Sequence, residues 1–332
     1  MKFKEKMISM LAVVLCISSM TACSNGQDGT RVVFTTGFGK NEIFRIEGEN
    51  CTRNELMVYL TTTQNQYEEV YGEEIWNTSL NGVTLEENIK EIVLAKIAQI
   101  KTMYLLAKDK GIELEEKEEA QIKAATEEYF QSLSDKEREL LEVSREDIES
   151  LYREYAMADK VYHYIIQDVN PEISDDEARI ITVQHILITG SYEKASEVHD
   201  LAVSGEYDFA ELASKYSEDS NITYSFGKGE AEEVYEKEAF LLETDQISQI
   251  VKGTEGYYII KCITTFNREE TDANKLKIVE QRKNEVFGQE YDAFVKTLVR
   301  NLNEELWSEI TFIRDSEVTT SDFFTIYEKY FS

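Results

Sequence analysis

Gln184-His185-Ile186-Leu187-Ile188 closes a β-branched run, Ile180 to Ile188, that reads as a strand in a chain whose other stretches are mostly helical. Working outward, Tyr192 to Val203 has helical spacing and stops at Ser204-Gly205. Asp208 caps a second helix through Tyr216. Tyr224 to Phe226 predicts a short strand, Glu232 to Leu242 a helix, and Tyr257 to Ile263 a β-branched closing strand. Residues 178–263 therefore read as a small mixed α/β module.

Helix surrounds that module. The sole proline, Pro171, biases its predecessor away from helix and marks a boundary. Before it, Ile43 to Ile46 predicts a short strand, and Thr52 and Thr84 each open a capping box. Leu85, Ile89, Ile92, Val93, Ile97, Ile100 and Tyr104 then share one helical face, and Gly111 ends that helix. Another helix spans about Glu115 to Leu133, and Ser144 caps one running toward Tyr164, with Val143 and Ile148 as its hydrophobic staple. After Asn267, apolar spacing from Asn274 to about Ile310 predicts a long helix that packs back on the first ones. No motif places Thr311 to Ser332. The fold class expected is α+β, a mostly helical, discontinuous domain with an inserted α/β module.

Composition narrows the function. With 35 basic against 65 acidic residues the formal net charge is −30. Phosphate binding needs basic residues, so nucleic acid is not an expected partner. His163, His185 and His199 are scattered, and no Cys/His spacing suits a metal. No phosphate loop or other cofactor motif is present, so no cofactor is expected. Cys51 and Cys262 make no disulfide framework.

The first residues decide location. Lys2, Lys4 and Lys6 precede an uncharged apolar run, Met7 to Met20, too short to span a bilayer comfortably. Such a pattern is a secretory signal. Met20-Thr21-Ala22-Cys23 resembles the lipobox of bacterial lipoproteins, with methionine where leucine is usual. That resemblance implies a lipid on Cys23, a membrane-held extracytoplasmic protein, and a polar tether after it. The expected segments are a signal peptide at 1–22, a lipidated tether at 23–30, a helical domain at 31–172, the α/β module at 173–266, and a returning helix and tail at 267–332.

Gln184-His185-Ile186-Leu187-Ile188, then Tyr216-Ser217-Glu218-Asp219-Ser220 and Phe226-Gly227-Lys228-Gly229-Glu230, stand in the order in which their like occurs in the parvulin-type peptidyl-prolyl isomerases, which the module resembles. Gln184 to Ile188 matches that family's first strand, and Gly205 to Ala213 its two-helix stretch. Tyr216-Ser217-Glu218-Asp219-Ser220 and Phe226-Gly227-Lys228-Gly229-Glu230 match two characteristic loops. Glu238-Ala239-Phe240 with Ile247-Ser248, and then Gly256 to Lys261, complete the order. With its helical flanks and lipobox, the chain is similar to PrsA-type extracytoplasmic foldases and their periplasmic relative SurA.

The resemblance implies catalysis of cis/trans exchange at X-Pro bonds and chaperone action on unfolded or nascent secreted chains. It puts His185 and Asp219 on the polar floor of the site, and Phe226, Tyr235 and Phe240 on its apolar wall. Tyr258 stands where the family keeps a histidine, and Ala231 where it keeps a methionine. Asn221 to Ser225 replaces a glycine-rich turn. Two readings follow. One is an active isomerase with chaperone action. The other is a catalytically weakened holdase that binds chains without isomerising them. The aromatic-rich first helices are compatible with a homodimer.

Overall fold

The structure is a computed structural model and describes residues 37–331. The signal, Cys23 and the tether fall outside these residues. Chain contacts divide the described residues into two units, one comprising residues 37–165 together with 289–331, the other residues 166–288.

In the first unit, the capping boxes form as read. Thr52 Oγ1 accepts the Glu55 amide at 3.3 Å, while the Glu55 carboxylate accepts the Thr52 amide at 2.7 Å. That pair starts the helix Arg53–Tyr71, and the matching pair at Thr84 starts Leu85–Asp109. Helices Glu116–Ser132, Asp135–Leu141 and Arg145–Ile166 follow. Their buried stripes make a main core, in which Ile89, Val93, Ile97 and Ile100 sit as the spacing required, whereas Ile92 lies at the exposed margin. A buried ion cluster crosses this core. Lys101, 1% exposed, places Nζ 2.8 Å from both Glu154 carboxylate oxygens and 3.5 Å from Glu55 Oε1.

One sequence expectation fails here. The helix read to about Ile310 ends at Val295, and Arg300–Leu302 is a strand. It pairs antiparallel with Glu42–Ile46, whose other edge pairs with Glu49–Thr52. Leu298, Leu302 and Leu306 recur every four residues, which mimics a helical stripe. An open strand edge offers unpaired backbone groups at that point, and pairing with them prevails. Leu302 is accordingly 39% exposed and not core. Residues 311–331, which no motif placed, run over the same unit and end in the helix Phe323–Phe331.

The second unit is a four-stranded antiparallel sheet in the order Thr223–Phe226, Ile181–Ile188, Tyr257–Thr264, Val251–Lys252. Side chains alternate along Ile181–Ile188. Ile186 and Ile188, with Ile259, pack under the helices Tyr192–Val203 and Phe209–Tyr216. Ile181, Val183 and Leu187 face the other way, toward Tyr235 and Ala239 of the helix Glu233–Leu241. His185 shares that second face by the same alternation.

The long helix Arg268–Val295 belongs to this unit as far as residue 288. The sequence reading gave all of 267–332 to the helical domain. Thr271 is fully buried and its hydroxyl accepts the Ile180 amide at 3.1 Å, while the Asn274 amide donates to the Ala178 carbonyl at 3.1 Å. These bonds bind the first turns of the helix to the entry of the sheet. Cys51 and Cys262 are both buried free thiols. Among the described residues, no helix is long and apolar enough to cross a membrane.

Candidate active site

His185 projects from the middle of the central strand and is 5% exposed. Both ring nitrogens are engaged. Nε2 lies 3.1 Å from Asp219 Oδ2, and Nδ1 lies 2.9 Å from the Tyr235 hydroxyl. An ionised carboxylate only accepts. Nε2 therefore carries the proton and donates to Asp219, which leaves Nδ1 to accept from Tyr235. The Tyr224 hydroxyl donates to the same Asp219 oxygen at 2.7 Å, and the other oxygen, Oδ1, accepts the Asn221 amide at 3.0 Å. Tyr235, His185, Asp219 and Tyr224 thus form one hydrogen-bond chain whose donors converge on Asp219.

Local sequence explains each placement. Ser217 ends the helix Phe209–Tyr216, and its hydroxyl accepts the Leu187 amide at 3.1 Å, which pins the turn to the central strand. Asp219 follows in that turn. Tyr224 lies opposite Val183 in the strand register, so it shares the face that carries His185. Tyr235 comes from the first turns of Glu233–Leu241 and is buried against Phe226 and Tyr258, with ring centroids 5.8 and 5.1 Å away.

Electrostatics fit this arrangement. Burial holds the His185 imidazole below its ordinary pKa, and Asp219 only partly opposes it, so the ring stays neutral at pH 7. Burial pushes the Asp219 carboxyl up, but the Asn221 amide, the Tyr224 hydroxyl and His185 together bring it below the usual carboxylate range. Burial, reinforced by Glu255, pushes the Tyr258 phenol up to about 12.

These groups surround a cavity of about 260 Å³ lined also by Phe226, Ala231, Glu230, Glu232 and Tyr258. The structure brings His185, Asp219, Phe226, Ala231, Tyr235 and Tyr258 to this one cavity. Phe240 does not line it and stands behind Phe226, ring centroids 5.9 Å apart, under the Arg179 guanidinium. Two roles differ from the sequence expectation. Tyr235, read as apolar wall, supplies the hydroxyl that holds the imidazole. The Tyr258 hydroxyl turns to Glu255 at 3.1 Å, and the ring meets His185 edge-on at 5.3 Å. Tyr224, Glu230 and Glu232 were missed. Strand register had the signal for Tyr224, while Glu230 and Glu232 serve the loops, capping the Gly227 amide and the Thr254 amide. Among the described residues no group of three His, Cys, Asp or Glu side chains is placed to hold a metal ion.

The motifs, the antiparallel sheet and this cavity agree with a family model, "PPIC-type PPIASE domain" of the rotamase family, which matches residues 188–264. The module is a parvulin-type rotamase domain. Beyond it, the chain is PrsA-like. It is 24% identical over 280 residues to foldase protein PrsA 1 of Listeria monocytogenes, covering 79% of this chain and 76% of that protein. It is 33% identical over 135 residues to foldase protein PrsA of Halalkalibacterium halodurans, covering 36% of this chain and 40% of that one. A crystal structure of peptidylprolyl isomerase PrsA from Bacillus cereus is 22% identical over 76% of this chain and 97% of that one, with a TM-score of 0.37. The resemblance read from the motifs holds for the parvulin module and for similarity to the PrsA foldases over most of the chain.

Proposed function

We propose that the protein is a peptidyl-prolyl cis/trans isomerase with chaperone action on unfolded polypeptides. The observation that carries this is the hydrogen-bond chain from Tyr235 through neutral His185 to Asp219 and Tyr224, set in the floor of an aromatic cavity. The holdase alternative is not favoured. Its motive was the loss of family residues, and the match to the rotamase model argues for the catalytic reading.

Rotation about an amide bond meets a barrier of about 18–20 kcal/mol. X-Pro bonds left alone take tens to hundreds of seconds. The planar amide owes its rigidity to a charge-separated resonance form, which water stabilises. The twisted amide has lost that form and is less polar. A wall made of Phe226, Ala231 and the rings of Tyr235 and Tyr258 grips the proline ring and strips water from the bond. This favours the twisted state over the planar one. His185, held neutral and in one tautomer, presents no charge to that bond, and the fixed floor dipoles need no reorganisation as it turns. No covalent step is required.

The protein acts outside the cytoplasmic membrane on unfolded or nascent secreted chains, held there by a lipid on Cys23. The signal-like start and the Met20–Cys23 sequence support this location. Membrane fractionation of Cys23→Ala tests the anchor, which is refuted by a variant still found in the membrane fraction. A homodimer belongs to the proposal as read from the aromatic-rich first helices, and sedimentation of the mature chain tests it. The isomerase reading is tested with a short X-Pro peptide. The wild-type chain should accelerate exchange while His185→Ala and Asp219→Ala lose most of that rate. A wild-type rate no higher than background would sink it.

A further inference from the structure

Residues 311–331 are held in the helical unit by hydrogen bonds to their backbone. Its side chains grip their backbone. Gln64 Nε2 donates to the Ile313 carbonyl at 2.8 Å, Asn65 Nδ2 to Thr320 at 2.9 Å, Gln66 Nε2 to Ser321 at 2.9 Å, and the Tyr152 hydroxyl to Phe323 at 2.9 Å. Gln121 donates to the Tyr330 carbonyl. In the other direction, Glu137 Oε1 accepts the amides of Thr319 and Thr320 at 2.9 and 2.7 Å, and Glu86 accepts that of Phe312 at 3.2 Å.

Every polypeptide offers these backbone groups, so a grip of this kind does not depend on the sequence held. What does depend on sequence is an aromatic box. Phe323 is fully buried among Tyr59, Tyr129 and Tyr152, with ring centroids 5.2, 5.1 and 4.4 Å away. The fit is not perfect. Gln64 Oε1 and the Tyr327 hydroxyl are buried with no hydrogen-bond partner among the described residues. Each unpaired group of this sort weakens the seated segment against a rival.

We propose that the groove holding residues 311–331 is a binding site for unfolded polypeptide. It would take an extended or nascent helical segment bearing an aromatic side chain, and the chain's own segment fills it as a stand-in client. The inference rests on the chaperone reading above and gives that reading a place. While the segment remains covalently attached, its high effective concentration lets it outcompete weak rivals. Only chains that present a suitable aromatic residue at high local concentration displace it.

The test separates occupation from folding. Ser316 and Glu317 are exposed in the link ahead of the final helix, so a protease site installed there is cut after the protein has folded. Fluorescently labelled peptide 318–332 is then exchanged into the cut protein, and reduced, carboxymethylated α-lactalbumin is added as the unfolded client. Client should release the labelled peptide in a concentration-dependent way, and the cut protein should bind client at least tenfold more tightly than the uncut one. In the uncut chain, Phe323→Ala should raise client binding in the same direction. Client bound without release of the peptide, equal affinity of cut and uncut protein, or a peptide that never exchanges would each overturn the proposal. X-Pro isomerisation measured on the same sample reads the catalytic assignment separately. Loss of that rate with displacement intact counts against the isomerase and not against the groove.

Discussion

Tyr235→Phe removes one oxygen atom from the site and little else. The ring keeps its contacts with Phe226, Tyr258 and His185, whose centroids lie 5.8, 5.1 and 5.7 Å away. What is lost is the 2.9 Å bond to His185 Nδ1, between two side chains that are 7% and 5% exposed. Water has little access to the orphaned nitrogen, so the cost is that of a buried unsatisfied acceptor, about 1–3 kcal/mol. Part of it appears as lost stability of the rotamase unit. If the imidazole must be held to work, a comparable loss appears in kcat/KM for an X-Pro peptide, roughly 5- to 150-fold. Tyr258→Phe is the control. It removes a hydroxyl that bonds Glu255 and not the imidazole, so kcat/KM should fall by less than about threefold. Both variants are assayed well below their unfolding temperatures by isomer-specific proteolysis or NMR line shape. Equal effects of the two variants, or full activity in Tyr235→Phe, would refute the idea that Tyr235 positions His185.

Three further outcomes follow from particular contacts. Because burial depresses the His185 pKa, the unfolded chain binds the extra proton first, so stability from this group is complete above the ordinary histidine value of about 6.5 and declines as pH falls below it. Activity should stay level through pH 6.5 and drop only in more acid buffer, and a rate that halves at pH 6.5 or higher contradicts a buried neutral ring. Lys101→Met strands Glu154 and Glu55 in the core and should cost about 3–5 kcal/mol, read from tryptophan fluorescence in urea, since Trp76 and Trp307 both lie in the helical unit. Burial already raises the Glu154 carboxyl to about 7, and losing the lysine raises it further. Both folded chains keep a proton that the unfolded chain has lost above about pH 4.3, but above about pH 7 only the variant keeps it, so its deficit against the wild type should grow there by about 1.4 kcal/mol per pH unit. A pH-independent loss would refute this. Finally, a Cβ on Gly256 would collide with the Ile188 backbone carbonyl, so Gly256→Ala should destabilise the rotamase unit by at least about 2 kcal/mol in calorimetry while leaving the tryptophan transition in place.

Legibility in the sequence followed the range of the interaction. Capping at Thr52, Thr84 and Asp208 is a matter of three or four neighbouring residues, and each helix starts where its cap stands. The strand Ile181–Ile188 was legible because β-branching and alternation are local as well. Arg300–Leu302 was not, because its conformation comes from an edge more than 250 residues earlier in the chain, and its leucines satisfy the helical period equally. Phe323 was invisible as core for the same reason. Its box is assembled from three tyrosines on three helices, and nothing within its own segment announces them.

The site shows the same limit in sharper form, and it changes how the departures from the family pattern should be weighed. Read one at a time, a tyrosine in place of a histidine at Tyr258 and the missing glycines at 221–225 each suggest a damaged site. In three dimensions they are linked. The replaced turn is the stretch that carries Tyr224, and its hydroxyl bonds Asp219 at 2.7 Å. The side of the imidazole away from Asp219 is closed by Tyr235, a position where a phenylalanine would have left Nδ1 bare. Two hydroxyls thus hold the His185–Asp219 pair from both ends, and Tyr258 is left free to serve as wall. Removing both hydroxyls together, in Tyr224→Phe with Tyr235→Phe, should cost more in kcat/KM than the product of the single effects, because each single variant still holds one end of the pair in place, while Asp219 keeps the tautomer in all of them. Strictly additive losses would mean that the two tyrosines act as separate wall residues and that the chain between them does not orient the histidine.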